Sequence, residues 1–292
     1  MLERVVREAY RREQLPPLLL WTLAADGMHA WYAMLRKGLT PVLGSRERAE
    51  DEIAKAAAIG YRKRWDRLVE RHPRLAGDEA RAAQVLGALT MVARDPKRRA
   101  WPFRGLPGAP PTRRRDHLAL EWRLLRDVPV IDRWHEVTTH LGEILIALTQ
   151  TLPAALPVGA NAALGQICFE GGRASAERAK AMFSLPDRPE SAIEVLRMSE
   201  YVFRVNPHHW HEADAAANTG MIEGTACPWF TSPGWSMMHC GIFGQFQAGI
   251  SSVFGLRYQL TKTIPKHGGT TCRIDLRPLK RKDGTVAGMA SD

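Results

Sequence analysis

The sequence predicts a mainly helical α+β protein in which N-terminal helices pack on a small antiparallel sheet with a crossing helix. Three observations support this class. The first half repeats apolar residues at helical spacing, the C-terminal third alternates apolar and polar residues, and a hydrophobic content of 45% over 292 residues suffices for a substantial core. We expect a helical region over residues 1–150 and an α+β domain over residues 151–292.

Helices are predicted where apolar residues recur every three or four positions. These segments are 45–72, 78–94, 133–152, 161–183 and 189–203. Ser45 and Pro73 flank the first of them and favour its start and its stop. The segment 95–116 is rich in Pro, Gly and Arg, which predicts a connector, and we expect the arginines at 113–115 to lie in a turn-like context.

After Phe203 the pattern changes from helical spacing to extended and alternating segments. The segments predicted to be extended are 208–217, 220–230, 256–264 and 270–276. Between the second and third of these, the apolar segment 232–255 predicts a helix entered through Ser232 and Pro233, a favourable cap and first-turn pair. The C-terminal third therefore predicts two strands, a helix and a hairpin.

Composition excludes several classes of protein. The net charge is +10, but the basic residues of the first half lie beside acidic ones, as on solvated helix faces, and no aromatic-interleaved basic strand accompanies them. We therefore do not expect nucleic acid as a partner. No apolar run approaches the roughly 20 residues of a membrane span, and the N-terminus does not resemble an export signal. We expect a soluble, cytoplasmic protein with reduced thiols, because its four cysteines form no C-x-x-C pair.

Metal and cofactor motifs are weak. Glu136, His140 and Glu143 share one helix stripe and could bind a metal, but no second Glu-x-x-His sequence completes a carboxylate-bridged site. A polar helix face is the preferred interpretation. The glycine-containing segments lack the spacing of phosphate-binding loops. We expect neither a bound metal nor a cofactor.

A histidine-rich segment follows Pro207. Strand alternation would place His209 and His211 on one face and Glu212 on the other. Histidines at this density suit a general base or a metal ligand, whereas an exposed strand edge is the structural alternative.

Cys227, Cys240 and Cys272 belong to the strand-and-helix unit, where charged residues are scarce. Cys240 has Gly244 and Gln247 beside it at helical spacing, so we expect it to face a surface that another backbone approaches at the glycine. Burial as small hydrophobic residues would also explain these thiols.

The segments TACPWF, HCGIFGQFQAGISSVFG and LTKTIPKHGGTTCRIDL together resemble the C-terminal region of the L-2-amino-thiazoline-4-carboxylic acid hydrolase family. More distantly, they resemble small-molecule-binding domains akin to the 4-vinyl reductases. The shared features are a Cys-Pro at a strand end, a Cys opening a helix, and a strand pair closed by a glycine turn with Cys in its last strand. The resemblance covers about residues 189–279, and Gly269, Thr270 and Thr271 stand where the family often has an acidic residue.

The resemblance implies a hydrolase that opens a small nitrogen- or sulfur-containing ring, with a cysteine as the nucleophile. We expect Cys240 to attack and His209 or His211 to act as its base. Glu212 would orient that base or activate water. The residues expected to bind the substrate, by walling the pocket, holding a flat ring or hydrogen-bonding it, are Trp229, Trp235, Phe243, Gln247, Cys227 and Cys272.

Two other functions stay open. In one, the same apolar pocket belongs to a non-catalytic module that binds or senses a small ligand. In the other, Cys227, Cys240 and Cys272 form a closed zinc site with one histidine. The expected partner is a small-molecule substrate, and the sequence does not decide between a monomer and a homo-oligomer.

Overall fold

The computed structural model describes the ranges 2–94, 113–205, 209–225, 227–264 and 270–279. The connector over 95–112, the turn over 265–269 and the basic segment after 279 lie outside these ranges. The chain divides into two compact units, Pro17–Ala163 and a second unit that joins Met1–Pro16 to Leu164–Asp292. Helices with one small antiparallel sheet confirm the mainly helical α+β class.

Nine α-helices and four strands lie within the described ranges. The helices are α1 Leu2–Arg11, α2 Pro17–Leu43, α3 Arg46–Arg71, α4 Glu79–Arg94, α5 Arg113–Leu124, α6 Val130–Ala155, α7 Ala160–Phe183, α8 Pro189–Phe203 and α9 Met237–Ser252. The strands are β1 His209–Asp214, β2 Thr219–Thr225, β3 Leu256–Lys262 and β4 Thr271–Pro278. None of the helices in these ranges combines the length and the apolarity needed to cross a membrane.

Local signals account for the helices of the first unit. Ser45 accepts a hydrogen bond from the Arg48 amide at 3.2 Å and caps α3, which ends before Pro73 as predicted. Helix α2 starts with Pro17 in its first turn, where a missing N–H costs nothing. The turn predicted at 113–115 is wrong, because these arginines begin α5. They follow the last proline of the connector and precede an unbroken run of helix-forming residues.

The sheet of the second unit is antiparallel, with the strand order β1-β2-β4-β3. In its central pair, Ile222 of β2 is opposite Ile274 of β4, and both are fully buried. This face packs against α8 and α9. The core that results contains Ala176, Leu185, Ala192, Ile193, Val195, Leu196, Ile222, Ile250, Phe254, Leu256, Ile274 and Leu276.

Helix α9 begins later than the sequence predicts. Its N-cap is Ser236, whose backbone N–H donates to His239 Nδ1 at 3.0 Å, so that Ser236 and His239 form a capping box. The predicted start at Ser232 and Pro233 instead lies in turns, and Gly234 has a φ of +93°. That left-handed conformation cannot continue a helix, so the N-cap is Ser236, two residues later, and the helix begins at Met237.

Helices α7 and α9 cross at two glycines. A Cβ on Gly172 would lie 1.9 Å from the Phe246 carbonyl oxygen, and one on Gly249 would lie 2.0 Å from the Phe169 oxygen. The close approach of another backbone, expected at Gly244, therefore occurs at Gly172 and Gly249. The neighbour of Gly244 is a tyrosine ring.

Candidate active site

Three of the four cysteines come together from distant parts of the second unit. Cys227 follows the end of β2, Cys240 lies in the first turns of α9, and Cys272 lies in β4, opposite Gly224 of β2. They are close enough that charge on Cys240 or Cys272 raises the pKa of Cys227. All three are half-buried, whereas Cys168 is completely buried in α7. The half-buried group is named here the thiol cluster.

Three aromatic rings pack together beside the thiol cluster. The buried Trp229 ring lies 5.1 Å from the Trp235 ring and 4.6 Å from the Phe243 ring, between ring centroids. Trp235 also donates its indole N–H to the Cys240 sulfur at 3.2 Å. This hydrogen bond orients one lone pair of the sulfur. It also lowers the pKa of the Cys240 thiol, which favours the thiolate. The structure thus brings together the three aromatic residues that the sequence assigned to one wall.

Burial governs the ionisation of the thiol cluster. Loss of hydration is the largest cause for each thiol, and it raises the pKa of Cys227 to about 12 and the pKa values of Cys240 and Cys272 above their usual value. The hydrogen bond from Trp235 offsets part of this effect at Cys240. The three thiols are therefore protonated at neutral pH until a base reaches them.

Two hydrogen bonds near the thiols connect Tyr258 to Glu200 through Gln247. The Tyr258 hydroxyl donates to Gln247 Oε1 at 2.6 Å, and Gln247 Nε2 donates to Glu200 Oε1 at 2.8 Å. The Tyr258 ring lies across α9, where a Cβ on Gly244 would be 3.5 Å from it. Burial first, and then charge on Glu200, raises the pKa of Tyr258 well above its ordinary value, so the phenol stays protonated. Gln247 therefore holds Tyr258 with the amide that was expected to bind substrate.

Sequence reasoning did not identify Tyr258 or Glu200 as site residues. A signal for Glu200 was present, because it follows Leu196 by four positions and so continues the apolar stripe of α8. A carboxylate on such a stripe needs a buried hydrogen-bond donor, and Gln247 supplies it.

The histidines and Glu212 are placed differently from the thiol cluster. His211 is opposite Ile222 and Glu212 is opposite Met221, so the predicted alternation of faces is confirmed. His211 lines a cavity that contains none of the cysteines, and Glu212 is exposed. His209 pairs with Gly224, and its side chain lies outside the described part of the structure.

His239 precedes Cys240 in the sequence but has a structural role. Its ring accepts the Ser236 amide proton and stacks on the Trp235 ring at a centroid distance of 5.2 Å. Burial lowers the pKa of His239, which favours the neutral form that capping requires. The His239 ring therefore caps the start of α9.

Metal binding has little support in the described residues. Across the described ranges, no group of three or more His, Cys, Asp and Glu side chains is arranged to hold a metal ion. On α6, Glu136 and Glu143 both bind Arg67, which donates to Glu136 at 2.9 Å. His140 of the same stripe is completely buried against Gly60. This stripe is thus a polar helix face that pairs with arginine.

Similarity to known proteins does not add to this geometry. No protein-family model, curated protein or solved structure gives a significant match to the chain. The functional argument therefore rests on the thiol cluster and its surroundings.

Proposed function

We propose that this protein is a hydrolase that opens a small nitrogen- or sulfur-containing ring, such as a cyclic amidine or imidate, by attack of Cys240. The observation that carries the proposal is the Trp235 N–H placed 3.2 Å from the Cys240 sulfur, inside an aromatic wall. A half-buried sulfur that receives a hydrogen bond can form a stabilised thiolate, and the half-buried Phe243 ring, packed on the buried Trp229, suits a flat substrate.

The substrate supplies the base in this proposal. Among the side chains that the structure describes, no imidazole accepts a hydrogen bond from Cys240, and burial raises the pKa of this thiol above its usual value. A cyclic amidine nitrogen is basic, so it takes the Cys240 proton as the sulfur bonds to the adjacent ring carbon. The tetrahedral adduct then breaks one ring bond. When the C–S bond breaks, the nitrogen gives its proton to the leaving sulfur as the C=N bond re-forms; when the C–N bond breaks, the nitrogen leaves with that proton and takes a second one from an amino group on the same carbon. Water then adds to the S-linked carbon, releases the opened product and restores the thiol.

The other residues act by position. Cys227 and Cys272 flank the nucleophile, and Gln247 holds the Tyr258 hydroxyl near the thiols through its carbonyl oxygen. Free thiols in all four cysteines suit a reducing compartment, which supports a cytoplasmic location. The expected partner is a small molecule, with no nucleic acid or membrane.

The test compares Cys240→Ala with Cys272→Ala, using 2-amino-thiazoline-4-carboxylate as the first substrate and calorimetry to measure binding. We expect Cys240→Ala to reduce turnover by more than about 10³-fold while substrate binding persists. Cys272→Ala, which removes a flanking thiol, should retain measurable turnover. Turnover in Cys240→Ala at the wild-type rate would remove this thiol from the mechanism.

A non-catalytic ligand-binding module is the second candidate. It is favoured by the raised pKa of all three clustered thiols, since an unactivated thiol is a poor nucleophile. This candidate predicts ligand binding without turnover. It also predicts slow alkylation of Cys240 by iodoacetamide, at a rate close to those of Cys227 and Cys272. Selective alkylation of Cys240 would favour the hydrolase.

A further inference from the structure

The second unit contains a cavity of about 410 Å³ that is lined by none of the cysteines. It is bordered by α1, by the first part of α8 and by β1, and its volume is typical of sites for small molecules. Arginine side chains dominate its charge, since four of them face two glutamates. The charged residues that line it are Arg7, Arg11, Arg188, Arg197, Glu190 and Glu194.

Two of the arginines are held by carboxylates. Arg7 binds Glu194 with both arms of its guanidinium group, including a contact of 2.7 Å from Nη2 to Oε2. Arg197 donates to Glu13 at 3.2 Å. These ion pairs hold the side chains that line the cavity in place. The pair with Arg7 also neutralises Glu194, the less exposed of the two glutamates in the lining.

The other two arginines retain their charge for a ligand. Arg11 lies 3.8 Å from Glu194, at an oxygen that already binds Arg7. Arg188 forms no ion pair with any residue in the described ranges and stands at the N-cap of α8 without a capping side chain. The positive end of the α8 dipole therefore adds to the charge of Arg188.

A buried hydroxyl gives a second, independent indication of a ligand. Ser191 is only 5% exposed and lines the cavity in the first turn of α8. Within the described part of the chain, its side chain makes no hydrogen bond. Its hydroxyl is therefore available to donate a hydrogen bond to a group bound in the cavity.

Apart from Ser191 and His211, the rest of the lining is apolar. Ile193, Met198 and Tyr10 border the cavity beside the charged groups. Burial is the largest cause that raises the pKa of Tyr10 to about 12, so its ring stays neutral. A ligand for this cavity therefore needs an uncharged body as well as a negative charge.

We infer that this cavity is a second binding site, which takes a small organic oxyanion, a carboxylate or a phosphate carried on an apolar ring. Arg188 and Arg11 bind the anion, and the Ser191 hydroxyl donates to one of its oxygens. Ile193, Met198 and Tyr10 contact the ring. The site needs no thiol, so it stands or falls independently of Cys240.

The test is calorimetric titration of the full chain with phenyl phosphate, benzoate and inorganic phosphate at 0.15 M salt. We expect both ring-bearing anions to bind and inorganic phosphate to bind at least tenfold more weakly. Arg188→Gln should weaken binding about tenfold, since it removes a charge-assisted hydrogen bond. Ser191→Ala should weaken it severalfold. Arg257→Gln is the matched control, because Arg257 is exposed on β3 and does not line the cavity.

The outcomes divide clearly. Tighter binding of benzoate would assign a carboxylate and tighter binding of phenyl phosphate would assign a phosphate, and either supports the site. Binding that Arg188→Gln leaves unchanged overturns the proposal, as does equal weakening by Arg257→Gln, which would show attraction to general positive charge. No heat with either ring-bearing anion at millimolar concentration also overturns it. Far-UV circular dichroism confirms that each variant is folded.

Discussion

Replacing Gly249 by alanine tests whether α9 is held against α7 by direct backbone contact. The new Cβ would lie 2.0 Å from the Phe169 oxygen and 2.8 Å from the Arg173 nitrogen, both main-chain atoms that cannot rotate away. Ordinary carbon–oxygen contacts are about 3.3 Å or longer, so the helices must separate by roughly 1 Å. Overpacking of this kind costs about 3 kcal/mol, at the upper end of the usual range, because no side chain can yield.

Alanine also favours the helix, and this gain must be subtracted. In a helix interior, alanine is about 1 kcal/mol more favourable than glycine. The expected net loss in the free energy of unfolding for Gly249→Ala is therefore about 2 kcal/mol. Gly241→Ala is a matched control on the same helix, because nothing lies within 4 Å of its added Cβ. That variant should be more stable than the wild type by about 0.5–1 kcal/mol.

Urea denaturation, followed by circular dichroism, measures both variants through the midpoint and slope of the transition. The two glycine substitutions should shift the midpoint in opposite directions. Equal stabilisation by Gly249→Ala and Gly241→Ala would refute the close helix crossing. Because α9 also carries Cys240, Gly249→Ala should further change the alkylation rate of that thiol, whereas Gly241→Ala should leave its environment intact.

Three further predictions concern buried polar groups. Glu121→Gln leaves the fully buried Arg64 without its carboxylate partner. This substitution should lower the free energy of unfolding, measured by urea denaturation, by about 3–5 kcal/mol. A loss below about 1 kcal/mol would contradict the prediction. Burial is the largest cause that lowers the pKa of His117 from 6.5 to about 4. The unfolded chain therefore binds an extra proton at this histidine between these values, which lowers the free energy of unfolding by about 3 kcal/mol from pH 6.5 to pH 4. The buried His140, whose pKa is lowered to about 3, adds a loss in the same direction, so the total fall should be at least about 3 kcal/mol and a flat stability curve would contradict this. Tyr258→Phe removes the donor to Gln247 and should cost about 1–2 kcal/mol, measured by thermal unfolding, where an unchanged midpoint would argue against the bond.

Local signals made much of the fold predictable. Ser45 as a cap and Pro73 as a stop bound α3 correctly, because caps and prolines act within one helical turn. Alternation along β1 placed His211 and Glu212 on opposite faces, since side chains in a strand alternate regardless of its neighbours. Both signals are contained in a few consecutive residues.

The start of α9 could not be predicted, because two nearby segments carry equally good signals for a helix start. Ser232–Pro233 and Ser236 are both acceptable helix starts by residue type. The chain uses Ser236 because Gly234 takes a left-handed turn and because His239 completes a capping box with Ser236. Of the two possible starts, the structure has the one at Ser236, where His239 supplies a second capping hydrogen bond.

The placement of the histidines depended on strand order, which is not a local property. In the order β1-β2-β4-β3, the strand that carries His211 is at one edge of the sheet and borders the arginine-lined cavity. Cys272 belongs to β4, on the other side of β2. An order that placed β1 next to β4 would show the same alternating pattern along each strand. The sequence therefore could not decide whether His211 would lie near the thiols.

The raised pKa of the clustered thiols links the two candidate functions of the site. Under the ligand-binding proposal, a neutral ligand beside the half-buried Phe243 ring does not react, because Cys240 is protonated. Under the hydrolase proposal, a basic ring changes this outcome, because it brings its own proton acceptor to Cys240 while the Trp235 N–H stabilises the thiolate as it forms. Turnover should therefore depend on the basicity of the ring nitrogen more steeply than binding does. The same geometry would then reject neutral rings as substrates while still admitting them as ligands.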